Sequence, residues 1–197
     1  MTTDANAVEI LNEDLSHLEI VEHLLDEAFG PGRFAKTAYR LREGTEPIAE
    51  LCFVAMRAGR PIGAVRLSPI TIGGTDALFL GPLVVHPDHK NRGHGLALMQ
   101  KALATAKKRG HRLVVLVGDA PYYARADFRP IPRGQVRLPG PVDPARLLAH
   151  ELVEGSLAEA RGMARPAPQQ ANGASAPLAV PGGGERGEQR HEAQQAG

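Results

Sequence analysis

The sequence contains little cysteine and few aromatic residues. Among its 197 residues are one cysteine, no tryptophan, three tyrosines and five phenylalanines. A single cysteine excludes an internal disulfide and is typical of proteins in a reducing compartment, so we expect a cytoplasmic location. Because aromatic residues are scarce, a core must consist mainly of Leu, Val, Ile and Ala. The hydrophobic fraction of 43% supplies enough of these residues for one domain of ordinary size.

Long apolar runs are also missing. No stretch approaches the roughly 20 consecutive apolar residues of a transmembrane helix. The first ten residues, MTTDANAVEI, are polar and acidic and lack the pattern of a secretory signal. From these absences we expect no membrane partner.

Charge is abundant but unevenly distributed. The net charge is +1, yet residues 1–50 carry eleven acidic and four basic side chains, whereas residues 51–146 carry five acidic and fifteen basic ones. A basic middle region favours an anionic ligand, although an arginine-rich solvated surface explains the same charge. The region lacks interleaved aromatic residues and any known reader motif, so we expect no nucleic acid partner.

Hydrophobic periodicity predicts strands and helices in alternation. For the first half it predicts a strand over residues 7–11, helices over 15–29 and 34–42, strands over 51–56 and 62–67 that form a hairpin, and a turn over 70–76. For the second half it predicts a strand over 77–85, a helix over 96–109, a buried strand over 113–117, one or two helical turns over 122–126, and closing strands over 136–138 and 147–153. The last of these segments also fits a helix. Strand, loop, helix and strand over 77–117 predict a right-handed βαβ unit.

The C-terminal segment differs in composition from the rest. From residue 161 onward, Ala, Gly, Pro and Gln supply 24 of 37 residues, and no aromatic residue is present to form a core. We therefore expect a folded domain over residues 1–160 and a disordered tail over residues 161–197.

The junction between the strand at 77–85 and the following helix predicts a phosphate site. It reads HPDHKNRGHGLA, residues 86–97. The first N–H groups of a helix lack intrahelical partners and carry partial positive charge, and Gly93 and Gly95 would let an anion approach the main chain. Lys90 and Arg92 add charge. A plain loop with a glycine-capped helix is the alternative. Neither the Walker pattern nor the dinucleotide fingerprint fits, since the latter would need glycine in place of Leu98.

Two motifs resemble those of the GNAT N-acetyltransferase superfamily, and in particular of a bacterial subgroup of predicted acetyltransferases. The segment LVVHPDHKNRGHGL, residues 83–96, resembles the acetyl-CoA-binding motif Q/R-x-x-G-x-G/A, with Lys90 at the position that usually holds Gln or Arg. The segment GDAPYYARADFRP, residues 118–130, resembles the Y-x-x-x-G-F element, with Tyr123 and Phe128 in place and Asp127 where glycine is usual. The resemblance covers about residues 7–155.

This resemblance implies an α/β (α+β) fold. The family has a mixed, mostly antiparallel central sheet flanked by helices, in which parallel strands four and five splay apart around the pantetheine arm. Gly81-Pro82 would mark a bulge on strand four. Main-chain groups of Leu83 and Val85, in a segment that includes Val84, would then pair with pantetheine. The pyrophosphate would bind the following loop and helix start: Lys90, Asn91, Arg92, Gly93, His94, Gly95 and Leu96.

The implied activity is acetyl-CoA-dependent transfer of an acetyl group to a primary amine by direct transfer. Tyr123 would donate to the departing sulfur; a purely packing role is the alternative. Strand four contains no carboxylate, so no general base is assigned; Glu50, Asp76 and Asp119 are the nearest acids, and a water chain would serve equally. A non-catalytic acyl-CoA-binding regulatory module of the same fold is the alternative function.

The acceptor is expected to be a small-molecule or peptide amine, and a homodimer stays open. Four acidic side chains of the predicted first helix either flank an acceptor groove or form a solvated face: Glu19, Glu22, Asp26 and Glu27. His86, His89 and His94 are not expected to bind a metal, because Pro87 excludes a helical ligand spacing and no cysteine or carboxylate cluster completes the set.

Overall fold

The computed structural model describes residues 7–30 and 37–167. The strands are β1 (Val8–Asn12), β2 (Phe53–Arg57), β3 (Arg60–Ile72), β4 (Thr75–Val85), β5 (Leu113–Val117), β6 (Arg129–Pro130), β7 (Val136–Arg137), β8 (Leu147–Glu151) and β9 (Gly162–Pro166). The helices are α1 (Leu18–Phe29), α2 (Thr37–Arg40), α3 (His94–Lys108), α4 (Ala120–Tyr123) and α5 (Ser156–Glu159). Short 3-10 turns join several of them.

The strands form a mixed sheet in the order β1-β2-β3-β4-β5-β8-β6. Neighbours on this path are antiparallel except β4 and β5, which are parallel. β9 adds to the sheet by pairing antiparallel with β3 and parallel with β7. The predicted fold class, a mostly antiparallel mixed sheet with parallel strands four and five and flanking helices, is confirmed.

The helices cover the two faces of the sheet. Asp14 precedes the 3-10 turn that leads into α1, and its side chain accepts a hydrogen bond from the Ser16 N–H at 2.8 Å. The buried residues of α1 pack on Val54, Ala64 and Val84. α3 buries Leu98, Met99, Ala102, Leu103 and Ala106 against the opposite face. Its amphipathic stripe is therefore core.

The parallel strands separate after a short contact. β4 and β5 pair only through Leu78 with Val114 and Phe79 with Val115. Beyond these pairs β4 stays with β3 up to Val85, while β5 stays with β8. The predicted splay between strands four and five is thus present, and it opens toward the carboxyl ends of both strands.

A bulge in β4 coincides with the start of the splay. Val65 of β3 lies opposite Leu83, whereas Leu67 lies opposite Leu80. Two residues of β4, Gly81 and Pro82, therefore face a single residue of β3. This agrees with the bulge predicted at Gly81-Pro82.

Several element boundaries differ from the predictions. The predicted turn over residues 70–76 is wrong in its extent, because β3 continues to Ile72 with both β4 and β9 as partners and the turn is confined to Gly73 and Gly74. Residues 147–153 form a strand only to Glu151. The second helix is described from Thr37 to Arg40, and residues 34–36 of its predicted span lie outside the described residues.

The predicted domain boundary at residue 160 falls before the last strand. β9 pairs through Ala164, Arg165 and Pro166 with β3, and Ala164 is fully buried. Composition alone did not reveal this strand, since its apolar partners are supplied by β3. The domain therefore extends to at least Ala167, and residues 168–197 of the predicted tail lie outside the described residues.

Candidate active site

The N-terminus of α3 has the geometry of an anion site. Gly93 caps the helix in a left-handed conformation, φ 86°. The N–H of Ala97 donates to the Gly93 carbonyl at 2.9 Å. The N–H groups of His94, Gly95 and Leu96 precede this bond and have no acceptor one turn earlier in the helix. With the helix dipole behind them, these groups favour a phosphate.

Gly95 lets the helix start pack closely on its neighbours. A Cβ at this position would collide with the Tyr122 hydroxyl and contact the Val85 side chain. The glycine therefore allows α3 to approach both the end of β4 and the helical turn that follows β5. Sequence reasoning assigned Gly95 to anion binding; the structure adds this packing requirement.

Basic side chains surround the same loop. Lys90, Asn91 and Arg92 are exposed. Arg57 reaches over from β2, with its Nη1 3.4 Å from Nδ1 of His89. Desolvation, together with Arg57 and Arg92, lowers the pKa of His89. The positive charge around the loop therefore comes from Arg57, Lys90 and Arg92 rather than from His89.

The end of β4 presents main chain rather than side chains toward the splay. The Val84 side chain is buried against α1, so only its backbone could meet a ligand in the splay. Leu83 and Val85 are half-buried, and their backbones pair on one side with Val65 and Gly63 of β3. Among the described strands, none pairs with the other side of β4 in the splay.

A main cavity of about 670 Å³ occupies the splay. It is bounded by β4 around the bulge, the end of β5, α1, α2, α4 and the loop before β8. Its lining includes Leu80, Gly81, Pro82, Leu83, Val117, Gly118, Asp119, Tyr123 and Arg146. The cavity therefore joins the bulge to the residues that follow β5.

Tyr123 lies in the wall of the main cavity. Its ring makes edge contacts with Tyr122 and Phe128, at centroid distances of 5.1 and 5.9 Å. A Cβ at Gly118 would collide with this ring, so the glycine lets Tyr123 fold back over the end of β5. Burial raises the pKa of Tyr123 to about 12, and Arg146 opposes that rise only in part. Its hydroxyl is therefore a protonated donor throughout the ordinary pH range.

The three acids considered as bases lie in different places. Asp119 lines the main cavity. Glu50 is instead 3.4 Å from Arg109 at the end of α3, and Asp76 lies opposite Thr71 beside the turn between β3 and β4. Of the three, Asp119 is the one that the fold brings to the cavity.

A second cavity of about 430 Å³ adjoins the first. Tyr39, Arg42 and Pro82 line both cavities. The remaining lining residues of the second cavity come from α1, the segment after α2, and β3: Glu22, Glu43, Gly44, Thr45, Glu46, Pro47, Arg66 and Ser68. Glu22, one of the four acidic residues predicted to flank an acceptor groove, lines this cavity.

A buried ion-pair network forms the floor of the second cavity. Arg66 Nε donates to Glu13 Oε2 at 2.8 Å, and its Nη1 donates to Glu22 Oε1 at 2.9 Å. Burial alone would lower the pKa of the Arg66 guanidinium, but these hydrogen bonds raise it above its ordinary value. Sequence reasoning missed Glu13, Glu46, Arg66 and Ser68, because no motif or periodicity distinguishes them.

The three loop histidines are close together but form no metal site. The ring centroids of His86 and His89 are 5.7 Å apart, and those of His89 and His94 are 6.4 Å apart. Within residues 7–30 and 37–167, no group of three or more His, Cys, Asp or Glu side chains is arranged to hold a metal ion. In the same part of the chain no helix is long and apolar enough to cross a membrane.

The mixed sheet with its splayed parallel strands is the fold that the resemblance implied, and a sequence comparison identifies the family. The profile of the acetyltransferase (GNAT) family matches residues 18–128, more than half of the chain. The chain belongs to the acetyltransferase (GNAT) family, which confirms the resemblance seen in its two motifs.

Particular relatives support the same assignment. The chain is similar to the uncharacterized N-acetyltransferase YhbS of Escherichia coli K12, with 30% identity over 146 residues that cover 73% of this chain and 86% of that protein. The crystal structure of E. coli YhbS in complex with CoA matches with a TM-score of 0.72 and 25% identity, over 85% of this chain and 93% of that one. A GNAT acetyltransferase from Brucella melitensis in complex with acetyl-CoA matches with a TM-score of 0.52 and 25% identity, over 74% and 96%.

Proposed function

We propose that the protein transfers the acetyl group of acetyl-CoA directly to a primary amine of a small molecule or peptide. The observation that carries this proposal is the continuity of three features. The N-terminus of α3, the unpaired side of β4 from Val85 to Leu83, and the main cavity with Tyr123 follow one another along a single path. Such a path suits a long substrate with an anionic end and a reactive end.

Acetyl-CoA fits each part of that path. Its diphosphate would meet the N–H groups from Asn91 to Leu96, with Lys90 and Arg92 beside them. Its pantetheine amides would pair with the main chain of β4 in the splay, as an added strand would. The thioester would then lie near the β4 bulge in the main cavity. E. coli YhbS was crystallised with CoA and the Brucella melitensis protein with acetyl-CoA, which supports a coenzyme of this kind for this chain.

The chemistry requires a neutral amine, a stabilised oxyanion and a stabilised leaving thiolate. A nitrogen–carbon bond forms at the thioester carbon, the carbon–sulfur bond breaks, the sulfur leaves as a thiolate, and the nitrogen loses a proton to water. Main-chain N–H groups of the splayed strand would stabilise the oxyanion. Full proton transfer from Tyr123, with a pKa of about 12, to a thiolate of pKa about 8.5 is uphill by about 5 kcal/mol. Tyr123 therefore acts by donating a hydrogen bond to the sulfur.

Coenzyme binding and thiol release test the proposal separately. Isothermal titration of the full chain with acetyl-CoA should give saturable binding that free CoA competes for. Acetyl-CoA together with a panel of primary amines should then release CoA thiol, detected with a thiol reagent. Cys52 is buried and its pKa is raised to about 12, so the protein itself contributes little signal.

The two readouts separate the alternatives. Binding without amine-dependent thiol release would identify a coenzyme-binding regulatory module instead of an enzyme. No binding at millimolar acetyl-CoA would refute the proposal altogether. A cytoplasmic location stays a prediction from the single cysteine.

A further inference from the structure

Two buried polar atoms in the second cavity have no hydrogen-bond partner. Among the described residues, Glu46 Oε2 and Ser68 Oγ are buried without one. Ser68 is fully buried on β3, and both residues line the same cavity. A buried polar atom without a partner costs free energy, so two of them around one cavity indicate a ligand that satisfies both.

We propose that the second cavity binds a cationic alkyl amine as the acetyl acceptor, with Glu46 and Ser68 accepting hydrogen bonds from its ammonium group. The ammonium group then gives up a proton to water, and the neutral amine attacks the thioester. This inference rests on the proposed function and deepens it by naming the class of acceptor. It assigns Glu46 and Ser68 as acceptor-binding residues.

The chemistry of the two atoms favours a cation that carries several N–H donors. An ionised carboxylate oxygen only accepts hydrogen bonds, and a hydroxyl oxygen has two lone pairs to offer. A primary ammonium group has three N–H bonds, which is enough donors for both atoms. A neutral ligand would leave the Glu46 charge uncompensated in a partly buried site.

The charges of the cavity agree with this ligand. Its lining contains three carboxylates, Glu22, Glu43 and Glu46, and two guanidiniums, Arg42 and Arg66. Arg66 is already engaged by Glu22 and by Glu13 beneath the cavity. The excess of acidic charge attracts a cation and repels an anion.

The position of the cavity connects it to the reaction. Pro82 belongs to the β4 bulge and lines both cavities, as Tyr39 and Arg42 do. An amine held in the second cavity therefore lies beside the β4 bulge, next to the main cavity. Its volume of about 430 Å³ accommodates a small alkyl amine or the side chain of one lysine.

Binding can be measured without turnover. The full chain, saturated with CoA, is titrated by calorimetry with n-butylamine, 1,4-diaminobutane and Nα-acetyl-lysine amide, which are cationic at pH 7. Aniline and 1-butanol, which are uncharged at that pH, serve as matched ligands. We expect the cationic amines to bind and the neutral ligands to bind at least tenfold more weakly. Comparing the lysine derivative with the free amines distinguishes peptide from small-molecule acceptors.

Variants assign the effect to the two residues. Glu46→Gln should weaken the binding of the cationic amines about tenfold or more. Glu46→Asp should still bind cationic amines more tightly than neutral ligands. Ser68→Ala should weaken amine binding severalfold. The melting temperature of this variant should stay equal or rise, because the substitution removes an unpaired buried hydroxyl. A merely structural role would not combine weaker binding with equal or greater stability. Glu9→Gln, on exposed β1, is the control for loss of one negative charge.

The outcomes separate this inference from the proposed function. If CoA binds but cationic and neutral ligands bind alike, or Glu46→Gln binds them as the wild type does, the acceptor site is refuted and the transferase assignment is untouched. The same holds if CoA binds and none of the amines does. If CoA itself fails to bind, both proposals are wrong.

Discussion

At the scale of single residues, Tyr123 is the side chain with the most specific proposed task. Its pKa of about 12 keeps it protonated, and its place in the wall of the main cavity brings the hydroxyl to the region where sulfur would leave. The sequence motif names this residue as a candidate, and the structure places it in the cavity wall. The local geometry that holds its ring depends on Gly118 and Phe128.

Replacing Tyr123 by Phe should lower kcat about tenfold or more and leave the Kd for acetyl-CoA within about twofold, because the hydroxyl serves the leaving group only in the transition state. The shape of the pH–rate profile between about pH 6 and 9 should not change, since a group that titrates near 12 stays protonated there. Steady-state kinetics and calorimetry measure the two quantities. Unchanged kcat would remove Tyr123 from the mechanism; Tyr122→Phe is the matched control.

Gly95 offers a second test at this scale. Alanine normally stabilises a helix relative to glycine by about 1 kcal/mol, but a Cβ here collides with the Tyr122 hydroxyl. Gly95→Ala should therefore destabilise the protein by about 1–3 kcal/mol and weaken acetyl-CoA binding. Urea denaturation and calorimetry measure these effects.

The double variant Gly95→Ala with Tyr122→Phe should recover most of the lost stability. Without its hydroxyl, the ring carbon would lie 3.7 Å from the new Cβ, an ordinary contact. Failure of the second substitution to restore stability would mean that the collision is not the cause.

At the scale of elements, a buried ion pair connects β3 to the N-terminal part of the domain. Arg66 is 5% exposed and Glu13 4%, and the pair links β3 to the segment between β1 and α1. Glu22 extends the link to α1 itself. The network therefore sets the position of the helix that borders both cavities.

Breaking this network from one side should be costly. Glu13→Gln should reduce the free energy of unfolding by about 3–5 kcal/mol, because it leaves a buried guanidinium without its main counterion. Glu13→Gln combined with Arg66→Met should cost clearly less than Glu13→Gln alone, since the buried guanidinium is then gone and Glu22, which loses it as a partner, is partly exposed to solvent. Urea denaturation of both variants measures the difference, and equal losses would contradict the argument.

At the scale of the whole molecule, the position of the C-terminal boundary has a measurable consequence. β9 pairs with β3 and β7 and buries Ala164 in the cluster that also contains Ile70 and Ile72. A chain that ends at residue 160 loses this strand, whereas a chain that ends at residue 167 keeps it.

We expect the chain ending at residue 167 to melt within a few degrees of the full chain and to bind acetyl-CoA equally well. The chain ending at residue 160 should melt more than about 5 °C lower, because exposing the β9 partners of β3 costs more than about 1 kcal/mol. Thermal denaturation measures both. If the two truncated chains melt alike, β9 contributes no stability.

The sequence by itself determined the local features of this protein. A glycine-rich loop before an amphipathic helix, a Gly-Pro interruption in an apolar strand and a tyrosine after the next strand depend on backbone preferences and short spacings, which a chain displays residue by residue. These features were sufficient to predict the family, the parallel strand pair and the bulge, and they make Tyr123 a candidate site residue. The tertiary structure alone decided which distant residues meet. Glu46, Arg66 and Ser68 line one cavity with Glu13 beneath it, and β9 joins the sheet, through contacts between segments far apart in the chain. Their placement follows from the packing of the whole sheet, which no local pattern encodes.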